Sequence, residues 1–239
     1  MRFWVDIMIT IPKNGRLGNA MFRNCAASIL SKKFDIKVER YLELEKLQIL
    51  RPRFYEQGTK IYEHQVEVRY RNFLQILQQN DINYGLNLTC PCQSKEFVLT
   101  YKEEILDQFD LQYCQQYKND LFIHVRLGDC IRENRVPSAD YYVKAIEQTQ
   151  FDKGYISSDT PSHEIVTHLM SRFNLTLYEN TPAETINFAK DFGNLVLSKG
   201  TFSWWMGFLS KAGSIFYPKG GPRWHGDIFV FDEWTPIEF

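Results

Sequence analysis

The 239-residue sequence has no surplus of either charge: 28 Lys and Arg stand against 29 Asp and Glu, a formal net charge of -1. Gripping a nucleic-acid backbone takes a basic excess, so nucleic acid is not an expected partner. Cysteines are few. Cys25, Cys90, Cys92, Cys114 and Cys130 form an odd, irregular set that describes no disulfide framework and favours a reducing compartment. Cys90-Pro91-Cys92 has one intervening residue rather than the two of the common zinc knuckle, and no second Cys or His pair lies near it, which disfavours a metal there. Long hydrophobic runs are missing as well. The stretch from Phe3 to Ile11 is short and carries Asp6, fitting neither a signal-peptide core nor a membrane span, so the expectation is a cytoplasmic protein or one separated from its anchor. No D-x-D pair is present to hold a magnesium or manganese ion on a nucleotide diphosphate. Neither G-x-S-x-G nor the upstream glycine of a P-loop ahead of Lys199-Gly200-Thr201 occurs, which weighs against hydrolase and NTPase chemistry.

What remains is a globular composition, with 44% hydrophobic and 24% charged residues, and enough chain for one to two domains of roughly 150 residues. Aromatics reach 15%, which serves either a ring-rich core or sugar stacking. Val5 to Thr10 reads as a buried strand, followed by the glycine-containing turn Pro12 to Gly18. From Asn19 to Phe34, apolar positions at three- and four-residue steps predict a helix with Asn19 as N-cap. Tyr41 to Thr100 is less regular, and helices broken at Asn83-Tyr84-Gly85 and Cys90-Pro91 are expected there. After Leu111 short apolar runs alternate with amphipathic segments, the pattern of a parallel α/β sheet. Strands are expected at Leu121 to Val125, Gly154 to Ser157, Leu175 to Tyr178, Leu195 to Leu197 and Ser214 to Tyr217. Helices are expected at Ala139 to Thr149, Ser162 to Arg172 and Thr181 to Lys190, the last opened by the capping box Thr181-Pro182-Ala183-Glu184.

Ligands of open α/β sheets bind beyond the carboxyl ends of the strands, so the residues just after each strand are the candidates for chemistry. Arg126-Leu127-Gly128-Asp129 follows the Leu121 strand, and alternation puts His124 on the side of Arg126. Arginine beside glycine suits bidentate recognition of a phosphate, and an Arg126–Asp129 ion pair at a turn is the structural alternative. Asp159, after the next strand, can cap the following helix, orient Arg126 or bond a ligand. Ser198-Lys199-Gly200-Thr201-Phe202-Ser203-Trp204-Trp205 is a glycine turn entering a helix. Its N–H groups, with the Thr201 and Ser203 hydroxyls, can cradle a phosphate, while the tryptophans read as core. His163, His168 and His225 carry no functional signal.

Taken in order, Gly15-Arg16-Leu17-Gly18-Asn19-Ala20-Met21-Phe22, His124-Val125-Arg126-Leu127-Gly128-Asp129, Pro137-Ser138-Ala139-Asp140-Tyr141-Tyr142, Ser157-Ser158-Asp159 and the Ser198 to Trp205 segment resemble the motifs of the α-1,2-fucosyltransferases, glycosyltransferase family 11. The α-1,6- and protein O-fucosyltransferases are more distant likenesses. The resemblance implies an α/β, GT-B-like fold of two Rossmann-type halves with a reduced N-terminal half. Residues 1–110 would form the acceptor-side half and 111–239 the half binding GDP-β-L-fucose. It implies inverting transfer of L-fucose to a glycan hydroxyl without metal or other cofactor. Arg126 would grip the diphosphate, His124 shape that site, Gly200, Thr201, Phe202 and Ser203 add phosphate contacts, and Asp159 lie near the nucleotide. Arg16, Gly18 and Asn19 would serve from the other half. Arg126-Leu127 departs from the two adjacent arginines of α-1,2 enzymes, resembling instead the protein O-fucosyltransferases and leaving one phosphate clamp fewer.

In the expected reaction, an acceptor hydroxyl attacks the fucose anomeric carbon opposite GDP while Arg126 and the helix start at Thr201 stabilise charge on the leaving diphosphate. Losing one such donor costs on the order of a hundredfold in rate. Asp129 has a structural and electrostatic part, and the sequence names no general base. The alternatives are transfer of fucose to a protein side chain, transfer from another GDP-sugar, a non-catalytic nucleotide-sugar or glycan-binding module, and a structural domain in which Arg126 and Asp159 are a buried pair.

Overall fold

The computed structural model describes residues 7–133, 135–220 and 227–239. Val5 and Asp6 of the expected first strand, and His225, lie outside the described residues. The chain forms two compact units, one holding the described residues up to Asp110 together with Asp227 and Ile228, the other those from Leu111 to Gly220 together with Phe229–Phe239.

The first unit contains β1 (Ile9–Thr10), α1 (Leu17–Phe34), α2 (Leu44–Leu47), β2 (Gln65–Glu67), α3 (Tyr70–Gln78), β3 (Gly85–Asn87), α4 (Lys95–Thr100) and α5 (Lys102–Leu106). The helix predicted from Asn19 begins two residues earlier. Gly15 makes the turn at φ +80°, and Arg16, extended at φ -96° and ψ 174°, holds the N-cap position without a side-chain cap bond. Most of α1 is buried all round, so its polar residues need internal partners. Asn24 donates from its amide to Leu42 O at 2.8 Å and accepts from Leu42 N at 2.9 Å, and Ser31 Oγ donates to Ile36 O at 2.6 Å. The stretch expected to be helical also holds strands. Gly85, read as a break, opens β3, because its N–H is taken by His64 O and β3 pairs in parallel with β1 and β2 in the order β1-β3-β2.

The second unit contains β4 (Leu121–Val125), α6 (Gly128–Arg132), α7 (Ala139–Glu147), β5 (Gly154–Ser158), α8 (Glu164–Phe173), β6 (Thr176–Leu177), α9 (Pro182–Ala189), β7 (Asn194–Val196), α10 (Thr201–Phe208), β8 (Ser214–Lys219) and β9 (Thr235–Glu238). All six strands are parallel, in the order β6-β5-β4-β7-β8-β9. Counted from β4 this is 3-2-1-4-5-6, the dinucleotide-binding order, whose switch point lies between β4 and β7. Each predicted element is present within a few residues. β9 was not predicted, and its Pro236 is tolerated because β9 is an edge strand.

β4 is buried along its whole length, and its side chains part by strand alternation. Leu121, Ile123, Val125 and Leu127 enter a core with Tyr141, Tyr142, Ile156, Val166, Leu169 and Val196. Each fully buried aliphatic side chain there contributes about 2 kcal/mol. The opposite parity, Phe122, His124 and Arg126, faces elsewhere, and Phe122 meets Phe188, Phe192 and Tyr178. The capping box of α9 is complete. Thr181 Oγ accepts from Glu184 N, Glu184 Oε2 accepts from Thr181 N at 3.1 Å, and Pro182 occupies the first turn. No helix among the described residues is long and apolar enough to cross a membrane.

Candidate active site

The carboxyl ends of β4, β5 and β7 meet at the switch point, and in this second unit they gather His124, Arg126, Asp129, Asp159 and the Gly200 to Ser203 turn. Arg126 leaves β4 with its side chain 17% exposed. Its Nη2 donates to both carboxylate oxygens of Asp129, at 3.0 and 2.9 Å, so the ion pair read as the structural alternative does form. That pair occupies one corner of the guanidinium. Nη1 lies against Gly200, and Nε is buried without a hydrogen-bond partner among the described residues. A buried guanidinium N–H left unmatched is costly.

Gly200 sits at φ +101° and ψ 166°, conformations open to glycine, and holds the N-cap position of α10. The first-turn N–H groups of a helix have no partner within the helix and carry its partial positive charge. A guanidinium against that turn brings two positive ends together, an arrangement whose charge suits an anion.

Ser203, in the first turn, is fully buried. Its Oγ accepts from Ser198 N at 3.1 Å and is hydrogen-bonded to His124 Nδ1. The Ser203 hydroxyl, expected from the sequence to contact a phosphate, is enclosed here and holds His124. Phe202 packs edge-on against the His124 ring at 5.1 Å. His124 is 5% exposed; burial, and then the Arg126 charge, push its pKa down to about 3. It is neutral at physiological pH and presents a rigid polar ring rather than a charge.

Asp159 is exposed, and its Oδ1 accepts from Leu127 N at 2.8 Å, tying β5 to the chain just past Arg126. The helix-capping role weighed for it belongs to His163, whose Nδ1 accepts from Ile165 N at the start of α8. A polar chain supports the turn from behind. Tyr142 donates to Ser198 Oγ at 3.0 Å, and Tyr141 donates to Leu197 O at 2.6 Å, both from α7. The sequence motifs contained Tyr141, Tyr142 and Ser198 without indicating these roles, since the partners lie 56 residues apart. Trp204 and Trp205 are fully buried, as read.

In the first unit, Arg16 is exposed at the N-cap of α1, Asn19 is half-buried, and Gly18 is buried in the helix. Arg23 of the same helix is 3% exposed and donates to Cys90 O at 3.1 Å and to Asn14 O at 2.6 Å, fastening the glycine loop. Among the described residues, no group of three or more His, Cys, Asp or Glu is arranged to hold a metal ion.

No known protein-family profile matches the chain, and no curated protein matches it in sequence. Solved structures do. The NodZ alpha-1,6-fucosyltransferase soaked with GDP-fucose is similar with a TM-score of 0.51 at 9% identity, covering 85% of this chain and 93% of that one. The fucosyltransferase NodZ from Bradyrhizobium is similar with a TM-score of 0.54 at 8% identity, covering 86% and 94%. These likenesses fall on an α-1,6 enzyme, the more distant of the relatives suggested by the motifs, rather than on the α-1,2 family. At such identity the likeness is one of architecture, and the chain has a GT-B-like, Rossmann-type α/β fold shared with these fucosyltransferases.

Proposed function

We propose that this protein transfers L-fucose from GDP-β-L-fucose to a glycan hydroxyl. The observation that carries this reading is the seating of the Arg126 guanidinium on Gly200 at the start of α10, at the switch point of a Rossmann-ordered sheet. Asp129 fixes the guanidinium, Asp159 fixes the chain after it, and neutral His124 with Ser203 fixes the helix start. Arg126 and the α10 N–H groups would hold the diphosphate, with Thr201 and Phe202 beside it. As the acceptor oxygen bonds to the anomeric carbon and the bond to the diphosphate breaks, negative charge grows on GDP, and these donors would stabilise it. The transfer is proposed to invert the anomeric centre and to need no metal, because the charge-neutralising groups at hand are cationic side chain and helix end. Residues 1–110 are proposed to serve the acceptor, with Arg16, Gly18 and Asn19 as the contributing positions.

The α-1,2 linkage follows from the motif resemblance, and the α-1,6 linkage is favoured by the likeness to NodZ. Linkage analysis of the product separates them. The first test is thermal unfolding of the protein and of Arg126→Ala with GDP, GDP-fucose, UDP-galactose and ADP, because a ligand that binds the folded state raises the midpoint. The expected result is a rise with the GDP compounds alone, lost in Arg126→Ala, followed by acceptor-dependent release of GDP from GDP-fucose. No rise with any nucleotide overturns the reading, and binding without turnover leaves a nucleotide-sugar-binding module.

A further inference from the structure

Cys90 and Cys92 have no part in the proposed transfer, yet their geometry is specific. Both are buried, with Sγ atoms 3.7 Å apart. Pro91 between them has a fixed φ, and Cys92 takes the left-handed conformation at φ +60°, which turns its thiol back over Cys90 and within 3.5 Å of Cys90 O. Forming a disulfide takes a shortening from 3.7 Å to about 2.05 Å together with the S–S torsion that such a bond requires, within a tight ring that has one residue between the cysteines. The buried Arg23 guanidinium stands beside the pair and holds Cys90 O. The hydrogen bond from Cys92, more than the Arg23 charge, holds the Cys90 thiol below the usual thiol range, while burial pushes Cys92 well up. That asymmetry separates an attacking sulfur from a resolving one. The segment around the pair, from Leu88 to Ser94, lies between β3 and α4 without regular structure of its own, and opening it to a reagent breaks the bonds from Leu88 N to Thr10 O and from Cys90 N to Val68 O.

We propose that Cys90 and Cys92 are a redox-active dithiol which a small-molecule disulfide closes into an intramolecular disulfide, displacing Cys90 O from Arg23 and so loosening the glycine loop that Arg23 fastens. With oxidised glutathione, the Cys90 thiolate attacks one sulfur and expels a glutathione thiolate, leaving a mixed disulfide. The Cys92 thiolate then attacks Cys90 Sγ and expels the second. Two protein thiols are oxidised, one glutathione disulfide is reduced to two thiols, and the two cysteine protons pass to the leaving thiolates.

The native full chain is equilibrated in glutathione buffers of increasing oxidation until exposed Cys114 is fully oxidised, then quenched, alkylated and mapped by peptide mass spectrometry. The expected result is a Cys90–Cys92 peptide lighter by two hydrogens, without alkylation, at a midpoint independent of protein concentration. Cys92→Ser should instead trap Cys90 as a lasting glutathione mixed disulfide. Two alkylated thiols at Cys90 and Cys92 while Cys114 is oxidised overturn the proposal, as does a mixed disulfide persisting on Cys90 in the unaltered protein. Because Arg23 also holds Asn14 O, closure should raise tryptic cleavage after Lys13 and Arg16 several-fold. Complete closure with unchanged cleavage overturns the link to the loop.

Discussion

A Cβ on Gly200 would lie 2.3 Å from Arg126 Nη1, so the glycine is a seat cut to the guanidinium. Gly200→Ala forces either the side chain off the turn or the turn off φ +101° and ψ 166°, and holding an alanine in that glycine region costs about 1–3 kcal/mol. The expected outcome is a fall in stability of about 2 kcal/mol or more, together with loss of the GDP-induced rise in midpoint. Adding Arg126→Ala removes the collision, so the double variant should regain part of the loss, read as a non-additive double-mutant cycle in urea. Strict additivity would contradict the contact.

Asp159 acts on the site through a bond to the backbone at Leu127. Asp159→Ala removes the acceptor from Leu127 N, and a loss of about 1 kcal/mol is expected with weaker GDP binding. Asp159→Asn keeps a carbonyl oxygen in place and should stay near the original in both measurements. If Asn fails as badly as Ala, the carboxylate charge matters and the backbone account is wrong.

His124 makes stability depend on pH. In the unfolded chain it gains a proton as pH falls through about 6.5, whereas in the folded protein burial, helped by Arg126, resists protonation until about 3. Its contribution is therefore fully present above 6.5 and is lost as pH falls toward 3, at up to about 1.4 kcal/mol per pH unit. Urea midpoints of the protein and of His124→Gln, taken from about pH 7 to about pH 5, should diverge in slope, the variant being flatter. Equal slopes would show that His124 titrates normally.

The motif resemblance would set a second arginine at Leu127, which is a fully buried core residue beside Val125 and Tyr141. Leu127→Arg should not supply a second clamp. Strand parity points the new side chain into the apolar core, and the expected cost is several kcal/mol with no gain in GDP affinity. Tighter GDP binding in a stable variant would refute that placement.

Much of the second unit was legible because its signals are local. The capping box at Thr181 to Glu184 and the apolar run Leu121 to Val125 depend on neighbours in the chain, and both elements formed within a few residues of where they were read. Strand ends then pointed to Arg126, Asp129, Asp159 and Gly200 without any knowledge of what they touch. The missed strands β2, β3 and β9 are three or four residues long and owe their form to pairing across the chain. The start of α1 was misplaced because Asn19 is the better cap by residue type, while the positive φ of Gly15 fixed the turn earlier.

The sequence by itself determined the α/β class, the alternation that sends Leu127 inward and Arg126 to the opposite face, and the glycine that precedes α10. Only the tertiary structure decided the partners. Asp129 rather than Asp159 takes the Arg126 charge, Asp159 takes a backbone N–H, and Ser203 turns inward to His124. Alternation and turn conformation are properties of adjacent residues, whereas these bonds require the ends of β4, β5 and β7 to be brought side by side by a sheet assembled from distant parts of the chain.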